Sequence, residues 1–90
     1  MNKSDLVKSM ASAARISRRA AEKGLNGLLS SMAEAMEEGE RVTLVGFGSF
    51  SIVRRAKRLG RNPKTGEVIP IPSRKVVKFR PGKDLTEKIQ

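Results

Sequence analysis

The sequence predicts an α+β fold: two helices, a three-stranded antiparallel sheet that carries a long protruding two-stranded arm, and a short closing helix. Three observations predict it. Apolar residues recur at helical spacing up to about residue 38, and they alternate with polar ones after residue 41. Between Arg54 and Lys75 the cations fall on both parities, so neither face of that extended stretch fits a core.

The first helix is expected over residues 4–13. Ser4 is a candidate N-cap, Asp5 complements the macrodipole in the first turn, and Leu6, Val7, Met10 and Ala14 form a stripe. A second helix starts after Ser17 and runs to about Glu38 on Ala21, Leu25, Leu28, Leu29, Met32 and Met36, with Gly39 as the residue that ends it. Asn26-Gly27 is a hairpin signal in isolation, but it lies inside this periodic run and is overruled by it. Gly24 and Gly27 each cost about 1 kcal/mol relative to Ala, a cost that close approach of another helix, internal or from a second subunit, would offset.

Strand chemistry begins at Arg41. Val42 and Leu44 alternate with Thr43 and Val45, Gly46-Phe47-Gly48 turns the chain, and Phe50 and Ile52 continue on the return strand. Val77 and Phe79 alternate with Lys78 and Arg80, which predicts a third strand with one buried face; Pro81-Gly82 breaks it. Leu85 and Ile89, four apart, mark the final helix. Within the arm, Asn62-Pro63-Lys64-Thr65-Gly66 is a turn, because Pro fixes φ and Gly tolerates positive φ. Val68, Ile69 and Ile71 favour a strand, and Pro70 and Pro72 sit two apart, so their missing N–H groups share one side. From Arg54 to Asn62 such an arm reaches roughly 30 Å.

Charge is unevenly placed. The chain carries 19 Lys+Arg against 9 Asp+Glu, a formal +10, and residues 1–40 are balanced, so the whole excess lies beyond residue 40. Residues 54–83 hold eleven cations and one anion, Glu67, a concentration suited to a polyanion rather than to general solubility. Arg outnumbers Lys between positions 54 and 64, which suits phosphate and groove recognition. An anionic membrane surface would want an amphipathic basic helix with apolar anchors, and the pattern here differs. No apolar run approaches a membrane span, and the N-terminus lacks a signal-peptide core. There is no Cys and no His, which excludes disulfides and thiolate metal sites and removes the commonest general base; no cofactor is expected. A chain of this length buries only roughly 60–65% of the surface its unfolded form exposes, so it needs help from outside to be stable.

At the tip, Pro63 is rigid and apolar between Arg61, Asn62 and Lys64. It either shapes the turn or acts as a wedge that unstacks a base step. Taken together, Gly46-Phe47-Gly48-Ser49-Phe50, Gly60-Arg61-Asn62-Pro63-Lys64-Thr65-Gly66 and Phe79-Arg80-Pro81-Gly82-Lys83 resemble the signature segments of the bacterial HU and integration host factor family. The resemblance spans essentially the whole chain. It implies an intertwined dimer, of two identical chains or as a heterodimer, with residues 1–40 as a helical dimerisation base and 41–53 with 75–81 as a sheet saddle. Residues 54–74 then form a DNA-binding arm and 82–90 a C-terminal helix. It further implies duplex DNA bound through the minor groove and phosphates, and bent and compacted with low sequence specificity in a bacterial cytoplasm and nucleoid. By this resemblance Pro63 is the intercalating residue, with Arg61 and Asn62 beside it, and Arg55, Arg58, Lys64, Arg74 and Lys75 along the arm. Lys3, Arg80 and Lys83 contact phosphates on the body, and Leu29, Leu44, Phe47, Phe50 and Phe79 belong to a dimer core. Val53 stands where relatives often carry a polar or basic residue, and the stretch from Ile69-Pro70-Ile71 through Arg80-Pro81-Gly82 looks closer to integration host factor, while the short ends look like HU.

Three other functions compete. A site-specific DNA-bending subunit shares this pattern. A basic RNA-binding or ribosomal protein shares the charge, but the only aromatics are three Phe placed for packing, so stacking platforms are missing. An enzyme is the weakest reading: no paired carboxylates form a constellation, and Gly46-Phe47-Gly48 and Gly82-Lys83 each lack the rest of a phosphate-binding motif.

Overall fold

A computed structural model describes residues 1–90. In chain order the elements are α1 (Lys3–Ala14), α2 (Arg18–Glu37), β1 (Val42–Leu44), β2 (Gly48–Arg55), β3 (Arg58–Arg61), β4 (Val68–Ile71), β5 (Arg74–Pro81) and α3 (Lys83–Ile89). No helix is long and apolar enough to cross a membrane.

Helix α1 begins two residues earlier than the Ser4 cap would place it. Asn2 is the N-cap: its side chain accepts from the Asp5 N–H at 3.0 Å, while the Asp5 carboxylate accepts from the Asn2 N–H at 3.0 Å. This reciprocal box satisfies two N–H groups at once, which a cap at Ser4 could not do with Asp5 next to it. Arg15 closes α1 in the left-handed region (φ 56°), and Ser17 caps α2 by accepting from the Ala20 N–H. Gly39 follows the end of α2 at φ 81°, as its sequence position suggested. The two helices meet on Val7, Ala11, Ala21 and Leu25, with Met10 alongside. The buried edge of α1 therefore runs through Val7 and Ala11, while Leu6 and Ala14 of the expected stripe stay exposed.

That core is small. Only five of the 90 residues are buried, and Leu28, Leu29, Phe47, Val77 and Phe79 are each at least 40% exposed. The expected buried face of the third strand is thus uncovered by its own chain. Gly24 and Gly27 likewise have open space where a Cβ would stand, so no helix of this chain comes close to them.

Strands β1, β2 and β5 form an antiparallel sheet in the order β1-β2-β5, and β3 pairs with β4. One register runs from Gly48↔Pro81 through Arg55↔Arg74 to Arg61↔Val68, so β2–β3 and β4–β5 are the two legs of one long hairpin. The ladder is interrupted only between residues 55 and 58, opposite Pro72 and Ser73, with equal numbers of residues on each side. The Asn62 N–H donates to the Glu67 carbonyl at 2.8 Å, and alternation along an antiparallel ladder then puts Leu59↔Pro70 at a non-hydrogen-bonded pair. Pro70 therefore directs its ring nitrogen outward and the ladder loses nothing. The hairpin stretches the molecule to 57 × 29 × 29 Å, with a radius of gyration of 18.5 Å against about 12 Å for a compact chain of this length.

Candidate nucleic-acid interface

Period-two alternation sorts the three-stranded sheet into two unlike faces. One face carries Val42, Leu44, Phe50, Ile52, Val77 and Phe79. The Phe79 ring sits 4.8 Å from that of Phe50 and 5.7 Å from that of Phe47, both tilted. Gly48 makes this possible: a Cβ there would stand 2.6 Å from the Arg80 carbonyl oxygen and 2.7 Å from the Phe79 ring.

The opposite face is cationic. Register places Ser49 against Arg80, Ser51 against Lys78, Val53 against Val76 and Arg55 against Arg74. Arg41 precedes β1 in line with Ser51, and Arg41, Ser49, Ser51, Val53, Lys78 and Arg80 line one shallow concavity. The short serines leave the sheet backbone low between long cations, a shape that admits a ridge of phosphates. At the arm base, Arg55 faces Arg74 and Arg54 faces Lys75. Like charges directly opposite each other are destabilising, and no carboxylate lies within ion-pair distance of any of the four. Two such pairs in succession are stabilised only when an anion approaches.

At the tip, the loop is built by Asn62. Its side-chain oxygen accepts from the Lys64 N–H at 2.9 Å and its carbonyl from the Gly66 N–H at 2.8 Å, while Gly66 takes φ 76°. Arg61 donates to the Gly66 carbonyl at 3.4 Å. Pro63 and Lys64 are left exposed at the end of this closed loop.

The residues singled out in the sequence are thus distributed over several surfaces. Arg55, Arg74 and Arg80 share the cationic face, while Arg61, Asn62, Pro63 and Lys64 make up the tip. Arg58 is beside Ile71 on the other side of the arm. Lys75 also comes out on the apolar side, where it borders a groove with Met36, Glu37, Ile52 and Val77. Lys3 opens α1, and Lys83 opens α3 with its ammonium 3.9 Å from Glu87. Leu44 and Phe50 are half-buried, whereas Leu29, Phe47 and Phe79 remain more open. Arg41 and Lys78, which the sequence pattern alone did not single out, share the cationic face with Arg80. Their signal was present, since Arg41 alternates with Val42 and Lys78 with Val77 and Phe79.

A helical base, a sheet with one apolar and one cationic face, and a basic arm extending from it define a nucleic-acid-binding architectural protein. Residues 1–90 match the family model described as bacterial DNA-binding protein. The chain is 47% identical over 89 residues to DNA-binding protein HU of Clostridium pasteurianum, covering 99% of this chain and 98% of that one. It is 48% identical over 87 residues to HU-beta of Neisseria meningitidis, covering 97% and 98%. Among solved structures, an Anabaena HU–DNA cocrystal structure superposes with a TM-score of 0.93 at 44% identity, over 99% of this chain and 97% of that one. HU from Thermotoga maritima gives 0.72 at 31% identity over the whole of both chains. The chain belongs to the HU family of bacterial DNA-binding proteins, and it is a DNA-binding architectural protein rather than an enzyme.

Proposed function

We propose that two copies of this chain, or one copy and a related chain, bind duplex DNA in the bacterial cytoplasm and nucleoid and bend and compact it with low sequence specificity. In this reading residues 1–40 are the dimerisation base, 41–53 and 75–81 the saddle, 54–74 the arm and 82–90 the C-terminal helix. The observation that carries it is the register, which keeps the same count across the break at residues 56–57 and so leads from the cationic sheet face into an arm that ends at Pro63. DNA phosphates meet Arg41, Arg55, Arg74, Lys78 and Arg80 on the saddle, with Lys3 and Lys83 at the flanks. The arms follow the minor groove, where guanidinium groups suit the electronegative floor.

Low specificity follows from the side chains available. The saddle offers cations and serines, which hold phosphates but carry little base-edge information. Asn62 is the one amide at the tip, and its acceptor oxygen is committed to the Lys64 N–H inside the loop. Pro63, held by that loop, enters a base step as an apolar wedge. The partner chain covers Leu29, Leu44, Phe47, Phe50 and Phe79, which explains how five buried residues per chain suffice.

Pro63→Ala tests the wedge. Unstacking a step costs a few kcal/mol, so ring closure of short DNA should fall about tenfold or more while simple binding changes by no more than about threefold. Equal losses in circularisation and in binding would show that Pro63 only shapes the turn. Tighter capture of duplex RNA than of plain, nicked or bent DNA would replace this reading with the RNA-binding one.

A further inference from the structure

We propose that Leu59, Val68 and Pro70 form a deoxyribose-sensing strip on the arm, by which the protein prefers DNA over duplexes containing ribose. The inference rests on the minor-groove reading above and deepens it.

The two faces of the arm treat their apolar residues differently. On one, Ile71 folds over Gly60: a Cβ at Gly60 would stand 2.5 Å from the Ile71 Cδ1, so the glycine is the slot that receives this side chain. On the other, Leu59 faces Pro70 directly and Val68 lies diagonal to it, and nothing covers them. Leu59 is 76% and Val68 57% exposed, against 41% for Ile69. The arm thus has a way to shelter an aliphatic side chain and does not use it for Leu59.

The strip lies on the side that continues the cationic face. Arg61 pairs with Val68 and Arg55 with Arg74 on the same parity as Leu59, so the apolar strip is bracketed by cations at both ends. A surface of that make-up fits a ligand with an apolar strip between two rows of anions. The minor groove of DNA is such a ligand: its walls between the phosphates are the C–H edges of deoxyribose. In RNA the groove is wide and displays 2′-hydroxyls, which leucine, valine and proline cannot hydrogen-bond and would desolvate. The cations therefore supply affinity for either nucleic acid, and the strip supplies the distinction between them.

The test compares wild type, Leu59→Ser and Leu59→Met on one sequence prepared as a DNA duplex and as a DNA·RNA hybrid, each over a range of salt. Leu59 is far from the Val7–Leu25 core, and Leu59→Met keeps the apolar contact as the conservative control. Leu59→Ser is expected to bind DNA about five- to tenfold more weakly at every salt concentration, with an unchanged salt slope and little loss on the hybrid. Leu59→Met should stay close to wild type. An unchanged ratio of DNA to hybrid affinity in Leu59→Ser, or a loss that vanishes at high salt, would overturn the inference. A small minor-groove ligand added as competitor separates the two levels. If it fails to displace the wild-type protein, the minor-groove reading is wrong; if it displaces it while Leu59→Ser keeps the wild-type ratio, the strip alone is wrong.

Discussion

Replacing Arg41 and Lys78 together by glutamine probes the saddle where the structure adds most to the sequence. The two residues flank Ser51 in one row across the sheet, so their Cα atoms are about two strand spacings, roughly 10 Å, apart. Each can therefore meet a different phosphate. A phosphate neutralised by one cation contributes about 0.9 to the slope of log affinity against log salt, so the double variant should lose about 1.8 of slope for each saddle engaged. Between about 50 and 200 mM salt, a fourfold change, the deficit of the variant should shrink by about tenfold for each one so engaged. Glutamine keeps the length and the aliphatic stem, and both positions are exposed, so folding is not at issue. Fluorescence anisotropy on a short duplex at several salt concentrations gives both slope and intercept. Parallel lines for variant and wild type would refute the placement of these residues on phosphates, whatever the loss of affinity.

Two further substitutions address the fold and its assembly. Gly48→Ala puts a methyl group against the Arg80 carbonyl oxygen and the Phe79 ring, neither of which is the free end of a flexible chain, so it should cost about 1–3 kcal/mol or more in chemical denaturation; unchanged stability would mean that the β2–β5 contact is looser than described. Leu29→Lys alters a side chain that is 49% exposed in one chain and fully covered in the proposed dimer. It should be nearly silent if the chain works alone, and should abolish the dimer and lower the melting temperature in a concentration-dependent way if two chains share a core; sedimentation equilibrium reads the difference.

How much of this was readable in the sequence depends on the range of the interaction. Ser17, Gly39 and the Asn62–Gly66 turn are local devices, and each stands where its own chemistry placed it. The start of α1 is ambiguous in the sequence because Ser4 and Asn2 are both competent caps, and only the Asp5 carboxylate three residues beyond Asn2 decides between them. Arg41 and Lys78 were readable from alternation, but a strand's first residue and a cation between two apolar ones are ordinarily taken as boundary and solvent-facing positions. The resemblance implies Asn62 as a DNA contact, while its acceptor oxygen is engaged by the Lys64 N–H within the turn. The open faces of Leu29, Phe47 and Phe79 follow from no local signal. Periodicity identifies an apolar face but not which chain covers it.

The alternation that places Phe50 and Phe79 on one face of the sheet places Ser49 and Arg80 on the other, so the two needs of this chain are met by one register. A slip of one residue between β2 and β5 would reverse one strand against the other, putting Phe79 on the face away from Phe50 and Arg80 on the apolar side, so that both faces are lost together. The same register count continues into the arm, so a slip at the base would also set Pro70 and Val68 on the face away from Leu59 and Arg61. Gly48 has no room for a Cβ, and it sits at the pair that starts this ladder, opposite Pro81. Fixing the register there aligns every later pair out to Arg61↔Val68. In our reading the arm is therefore aimed from the buried end of the sheet: its own strands are too few and too exposed to set their register, and DNA then orders a ribbon whose facing is already decided.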